Sequence, residues 1–484
     1  MTHEKDEAQG LTGNCDAEDK VLLVVIGEEE LCVRKATLTR ESGYFSAMMS
    51  SGMRESCENR VELHGVSPDV FKTILDFFGT RRMRFDKVGP EEILETAVFL
   101  QMDGVMNYMR RAMKIETCVR CLRVAEKHYL ADLEKAAYMF MRKNYLALLQ
   151  SIEYNGLTEH ERDQLVALRY EPQEFICAVG SYNDARLDNL ETPRSLYVFD
   201  HFEQKWGPIC PFPPPLCTHG CSVAIVHNLL FILGGFTSSD QKELQKEAFC
   251  YDPLYNTWAP FPHPRVLRAH CGLAGIDAAN VLYAVGGCTI HKKTNSDEHD
   301  LVDLCSVEQY SFRTGRWRDA PRLPRPMLNA NLTACRGAVY TNIAVPGGEV
   351  IYRLIPGSPC WDEISPIPKV RFVFNMTSFR QNIYLICGFL REFESDPLCF
   401  NTETGKWSYL FRPPLAKRSY VDDLTVLDDK YGYKLYLVSQ NSTQWCDLGT
   451  REWQYTGLPG YPGSGFTRVR TLHLPITHLV HLRY

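Results

Sequence analysis

The chain contains no apolar run long enough to cross a bilayer, which takes about 18 residues. Its longest apolar stretches, Asn228–Leu233 and Tyr384–Cys387, are strand-sized. The first twenty residues, Met1–Lys20, lack the basic start and apolar centre of a secretory leader. No basic excess exists either: the net charge is −6 over 484 residues, so nucleic acid is not the default partner. These absences lead us to expect a cytoplasmic location, or also a nuclear one, with neither membrane nor nucleic acid as partner. Two catalytic signatures are missing as well. There is no Gly-x-Ser-x-Gly elbow and no phosphate-cradling glycine loop.

A hydrophobic fraction of 45% and a charged fraction of 23% are those of a globular protein. The length predicts two to four domains. Without a leader, the 18 cysteines read as reduced thiols rather than a disulfide framework. Cys118 and Cys121 share a predicted helix, and Cys217, His219 and Cys221 alternate along a loop-to-strand segment. A structural zinc site takes four ligands, so both groups read as buried or incidental side chains, and no metal or cofactor is expected. The Asn331, Asn375 and Asn441 sequons carry no meaning without export.

Tryptophan is absent before residue 206. Six of the seven, Trp206, Trp258, Trp317, Trp361, Trp407 and Trp453, recur at intervals of 44 to 59 residues. Each ends a similar unit. Leu229–Gly235 is followed by Tyr251 and Trp258, and Val281–Gly287 by Tyr310 and Trp317. Val345–Gly348 precedes Tyr352 and Trp361, and Ile383–Gly388 precedes Phe400 and Trp407. The first unit keeps Gly180, Tyr197 and Trp206; the last has Lys434–Val438 and Trp453 without a glycine pair. The short apolar run predicts a buried inner strand, and the glycine pair a sharp turn near a crowded axis. The later aromatic and the tryptophan predict packing of outer strands against the neighbouring unit. One such sheet cannot bury its own faces, so the units must stack. These residues resemble the Kelch family, whose repeats form a β-propeller. The resemblance implies six blades over 171–484, with strand material in Thr471–Leu474 and Leu479–Leu482 to close the ring. A propeller oxidase would require a histidine–tyrosine–cysteine set, and a sialidase repeated Ser-x-Asp-x-Gly-x-x-Trp turns, which no unit contains.

The first half reads differently. Lys20–Ile26 and Leu31–Val33 predict a strand pair, and Leu38–Met49 a helix. Val61–Leu63 predicts a strand, and Ser67-Pro68 starts a helix burying Val70, Phe71, Ile74, Leu75 and Phe78. Another helix is expected over Pro90–Met102. Arg34-Lys35, Leu38, Ser42, Tyr44-Phe45, Met48 and Gly52–Ser56 resemble a BTB domain, here over 20–115 behind a disordered 1–19. In that family Arg34 would be a histidine. From Glu116 the chain reads as helical, with Leu122, Ala125, Tyr129, Leu133, Ala137, Phe140 and Met141 at three- and four-residue steps. The segment 116–170 resembles a shortened BACK domain.

The fold class expected is thus multidomain: an α+β BTB domain, a short α-helical BACK-like segment and an all-β six-bladed Kelch propeller. BTB–BACK–Kelch proteins are mostly substrate adaptors of cullin-3 ubiquitin ligases. The resemblance implies no catalytic residues, a BTB/BACK grip on cullin-3, and a propeller that binds a protein substrate. It makes Met53 and Glu55, in the family's apolar-x-Glu triplet, the cullin-contact candidates. Homodimerisation through the BTB domain is a family expectation, although no apolar stripe precedes the first strand. Substrate contact is expected from the inter-blade segments, at His219, Arg268, His270, Asn329, Asn331, Arg371, Phe374, Arg418 and Tyr420. Arginines and histidines there favour an acidic or phosphorylated peptide. The charged insertion Thr289–Asp303 reads as a solvated loop. The alternative function is a non-ligase, actin-associated scaffold.

Overall fold

A computed structural model describes residues 21–51, 58–85, 88–180, 194–238, 241–292, 299–368, 372–387, 397–410, 421, 423–429, 432–439, 442–462 and 467–482. The chain divides into two compact units, Met1–Leu165 and Val166–Tyr484.

In the first unit, strands β1 (Val21–Ile26) and β2 (Glu29–Arg34) form a hairpin, and β3 (Arg60–Glu62) adds to β1 in parallel. The helix expected over Leu38–Met49 is two, α1 (Lys35–Glu41) and α2 (Gly43–Ser50). Ser42 is extended between them. Its buried hydroxyl accepts from Phe45 N–H at 3.2 Å and donates to the Leu100 carbonyl, which satisfies backbone groups a continuous helix would not expose. Helix α3 (Pro68–Thr80) starts at proline as expected, but Ser67 makes no side-chain cap bond. It buries Val70, Phe71, Ile74, Phe77 and Phe78. Phe77 replaces the expected Leu75, which is half-buried. Fully burying each large side chain contributes about 1.5–3 kcal/mol.

The expected 90–102 helix ends at Phe99 as α4 (Pro90–Phe99), and α5 (Asp103–Arg111) follows. Then come α6 (Ile115–Lys127), α7 (Ala131–Lys143) and α8 (Tyr145–Leu149). Helix α9 (Glu159–Tyr170) contains the division between the units. Tyr129, expected in the helical core, is 93% exposed with φ +54°. It sits in the α6–α7 turn, where the helical period is interrupted. Among the described residues no helix is long and apolar enough to cross a membrane.

The described residues of the second unit form six four-stranded antiparallel sheets, the blades, and a small hairpin. From blade 1 to blade 6 the innermost strands are Arg468–His473, Ser222–Val226, Gly272–Ile276, Leu332–Cys335, Val373–Phe379 and Asp423–Asp429. Each touches the next and the last touches the first, so the ring closes. The strand that closes it is Arg468–His473, which pairs with Glu174–Val179 of blade 1. The second candidate for closure, Leu479–Leu482, belongs instead to a 3₁₀ turn, Ile476–Leu482. Leu474 and Leu479 are fully buried there, in the cluster shared by blades 1 and 2.

The apolar runs such as Leu229–Leu233 are the second strands of their blades, not the innermost ones. A second strand is bonded along both edges and covered on both faces, so it takes the bulkiest residues. The innermost strands crowd the axis and take smaller ones. A Cβ on Gly275 would lie 2.8 Å from the Ile225 carbonyl on the neighbouring blade. The glycine pairs end the second strands in left-handed conformations, Gly234 at φ +70° and Gly235 at φ +99°. In blade 4 the pair forms a hairpin turn instead, with Val345 opposite Gly348.

The repeated tryptophans join the blades. Trp258 donates its indole N–H to Cys210 of blade 1 at 3.1 Å, and Trp317 to the Pro262 carbonyl following blade 2 at 2.8 Å. Trp361 donates to the Pro321 carbonyl, Trp407 to Ser365 Oγ, and Trp206 to Thr443 Oγ1 of blade 6. The seven-residue spacing sets Tyr251, Tyr310 and Phe400 directly opposite their tryptophans across a tight turn. In blade 1 that place belongs to Phe199, paired with Trp206, rather than to Tyr197.

Candidate functional site

Two surfaces have the features of protein-interaction sites. The first is the end of the propeller channel where the inter-blade segments gather. Gly220, His270 and Ala330 precede the innermost strands of blades 2, 3 and 4. They are stitched by backbone bonds: His270 N–H donates to the Gly220 carbonyl at 2.8 Å, and Ala330 N–H to the His270 carbonyl at 3.2 Å. His219 and His270 meet edge to face, with ring centroids 6.2 Å apart. Phe236, just after the blade 2 glycine pair, completes the group at 5.9 Å from His219 and 5.7 Å from His270. Burial lowers the basicity of His219. Burial first, then Arg468 and His219, push His270 down to about 4. His270 is therefore a neutral imidazole at pH 7.

The other predicted contact residues divide. Asn329 is exposed with φ +54°. Phe374 is half-buried and packs edge to face on Phe372 at 5.3 Å. Asn331 is buried, donating to Asn342 Oδ1 at 3.3 Å and the Val373 carbonyl at 3.1 Å, so it ties blade 4 to blade 5. Arg268 does not face a ligand, which corrects the expectation. It is 1% exposed, and its guanidinium reaches Glu308 at 2.6 Å and the Gly286 and Ser306 carbonyls at 3.1 Å each. Glu308 in turn accepts from the Arg265 and Val266 amides, so the pair braces blades 2 and 3. Arg371, Arg418 and Tyr420 lie outside the described residues.

Sequence reasoning missed that Phe236 packs with His219 and His270. Phe236 could have been found from its place directly after a glycine pair. Arg468 opens the closing strand, at the position Ser222 and Gly272 hold in blades 2 and 3. The charged insertion is not a simple loop. It contains a hairpin, Cys288–Lys292 with His299–Asp303, whose Cys288 pairs with Ala269 beside His270.

The second surface lies in the first unit. A groove of about 470 Å³ is lined by Phe85, Val88, Pro90, Met109, Met113, Thr117 and Arg120, among others. It runs between α4 and α5 on one side and the start of α6 on the other. Phe99, half-exposed at the end of α4, stacks at a tilt on Tyr44 with centroids 5.6 Å apart. Met53 and Glu55 lie outside the described residues. Behind the groove, Cys118 and Cys121 are buried, and burial pushes their thiols up to about 12 and about 11. Cys118 Sγ is used locally, donating to the Ile115 carbonyl at 3.1 Å. No cluster of three metal-binding side chains occurs among the described residues.

An α+β unit with an open groove, followed in the chain by a closed ring of repeats, is an architecture of the protein-binding class. The comparisons agree. The BTB/POZ domain family matches residues 15–116, and the Kelch motif family residues 217–265. Human Kelch repeat and BTB domain-containing protein 13 is 26% identical over 398 residues, which is 80% of this chain and 81% of that protein. Mouse Kelch domain-containing protein 7A is 27% identical over 49% of this chain and 28% of its own length. Mouse Kelch-like protein 9 is 24% identical over 56% of this chain and 58% of its own length. The chain belongs to the BTB–Kelch family. Proteins of this family act in general as non-enzymatic adaptors, binding other proteins through both modules.

Proposed function

We propose that this protein is a substrate-recognition adaptor of a cullin-3 RING ubiquitin ligase, with no catalytic residues of its own. The BTB unit and the first helices after it hold the cullin, and the propeller holds the substrate. Such an adaptor raises the local concentration of substrate lysines near the charged conjugating enzyme. The observation that carries this reading is the groove between α4, α5 and α6. It is open, partly apolar and bordered by α6, the first of the helices that complete a cullin-binding surface in BTB–BACK–Kelch proteins. Phe85, 36% exposed on its rim, offers an apolar contact, and Arg120 a charged one. We assign Met53 and Glu55 to the same contact by their family motif. Two chains pair through their BTB domains, and the adaptor works in the cytoplasm.

The test is capture of the purified full chain by the cullin-3 N-terminal region. Binding by wild type, lost in Phe85→Asp and in Met53→Ala/Glu55→Ala with the melting curve unchanged, supports the adaptor. Failure of folded wild type to bind refutes it. Co-sedimentation with actin filaments would then favour the scaffold. Light scattering of the same samples reads the dimer.

A further inference from the structure

The hairpin inserted in blade 3 leaves one strand edge uncovered. Its first strand, Cys288–Lys292, is the anchored one. Cys288 exchanges both backbone bonds with Ala269, at 2.9 and 2.8 Å. Cys288 and Ile290 pack in one apolar cluster with Phe236, Leu244, Leu267 and Ala269. The second strand, His299–Asp303, pairs with the first and, among the described residues, with no other. Where its backbone groups point follows from the register. In an antiparallel ladder, hydrogen-bonded and non-hydrogen-bonded pairs alternate. Cys288 turns both its groups to Ala269, so Cys288–Asp303 is a non-bonded pair, and so is Ile290–Leu301 two residues on. The bond from Leu304 N–H to the Gly287 carbonyl at 2.8 Å, one step away, fits that phase. The N–H and C=O groups of Leu301 and Asp303 therefore point to the outer edge, where they meet no partner among the described residues.

Such an edge is a template for a further strand. Asp300 and Asp303 are exposed, and between them Leu301 and Val302 are 45% and 43% exposed. The edge thus reads acid–apolar–apolar–acid. A second copy of this chain in antiparallel pairing would set Asp300 against Asp303, and like charges directly opposite are destabilising. The complementary strand reads basic–apolar–apolar–basic. We propose that this edge takes an extended protein segment of that pattern as an added strand. Backbone bonds to Leu301 and Asp303 supply the grip, and the paired apolar and basic side chains supply the selection. That the segment belongs to a substrate rests on reading the propeller as the substrate-holding module.

The test uses the full chain and labelled peptides with Lys-Val-Val-Lys, Gln-Val-Val-Gln or Glu-Val-Val-Glu at the centre of one neutral scaffold, read by fluorescence anisotropy. The lysine peptide should bind about fivefold or more tighter than the glutamine one, from two opposite-charge cross-strand pairs, and the glutamate peptide most weakly. Asp300→Lys/Asp303→Lys should transfer the preference to the glutamate peptide at an unchanged melting temperature. N-methylated peptides separate an added strand from loose charge attraction. The second valine donates its N–H to the edge in either strand direction, and the first valine in neither. Methylating the second should abolish binding, and methylating the first should leave it nearly unchanged. No preference in wild type, a preference that survives the double change, or equal sensitivity at the two valines overturns the proposal. Should the double variant unfold, the methylated peptides on the unmodified chain decide. Chains that associate through this edge, with light scattering changed by Leu301→Asp, would overturn the peptide in favour of a second copy. Cullin-3 capture run in parallel separates the failures. Intact capture without peptide preference sinks only the edge, and peptide preference without capture sinks only the ligase reading.

Discussion

Replacing Arg169 by methionine should destabilise the propeller more than most single changes. Arg169 follows the division of the chain and belongs to the second unit. Its side chain is fully buried beneath blade 2. Nε donates to the His227 carbonyl at 2.8 Å, and Nη2 to the Asn228 carbonyl at 3.2 Å. Both terminal nitrogens reach Asp252, at 3.2 and 3.1 Å. Asn228 returns the contact, donating to the Arg169 carbonyl and bridging to His473 on the closing strand. Arg169 therefore holds the seam between blades 1 and 2, where the ring closes. Methionine keeps the apolar stem and leaves Asp252 and two carbonyls without their donor. Breaking a buried pair from one side costs about 3–5 kcal/mol. Asp252 keeps 15% side-chain exposure and its bond from Leu254 N–H, so the low half of that range applies, about 3–4 kcal/mol. At roughly 2–4 °C per kcal/mol, the propeller transition should fall by about 10 °C. Adding Asp252→Asn should recover part of the loss, because it removes the orphaned charge. Urea and thermal melts of the four proteins in this cycle read both numbers. A loss under about 1 kcal/mol for Arg169→Met, or no coupling to Asp252, would refute the account of the seam.

Glu308→Gln should also destabilise, by about 3 kcal/mol or more, since it strands the buried Arg268 charge; thermal melts check it. Gly275→Ala should lower the melting temperature clearly, because the methyl would meet Val226 and the Ile225 carbonyl across the blade 2–blade 3 contact. Burial pushes the Glu161 carboxyl up, but Arg123 and the Thr158 amide together hold it at about 2, below its ordinary 4.5. Its stabilising contribution is complete above pH 4.5 and fades as pH falls toward 2. The stability gap between wild type and Glu161→Gln should close over that window in acid titrations. Timed alkylation at pH 8 with mass spectrometry should label exposed Cys32 and Cys360 before buried Cys118 and Cys121, whose thiols are held protonated.

The repeat was legible because its signal is local. An apolar run, a glycine pair and an aromatic seven residues before tryptophan each answer to backbone geometry within one blade. The same holds for the BTB helices, where apolar residues at helical spacing marked the buried face of α3. Errors came where a neighbour decided. The period through Tyr129 looked continuous, yet a turn interrupts it and leaves the ring in solvent. Leu229–Leu233 looked innermost because it is the most apolar strand, while the axis itself favours Gly275 and small residues. The candidate site shows the same division. The sequence placed histidines and arginines in the inter-blade segments, which is a matter of register. Which of them faces a ligand depends on partners far along the chain. Glu308 lies 40 residues from Arg268 and takes it out of play, and Asp423 does the same for Arg470 from 47 residues away. By itself the sequence determined the modules, the blade count and the absence of a membrane-length helix, because these follow from composition and period. Only the tertiary structure decided which charges are spent inside the ring, as Arg268 on Glu308 and Arg470 on Asp423, because ion pairing is settled by distance in space.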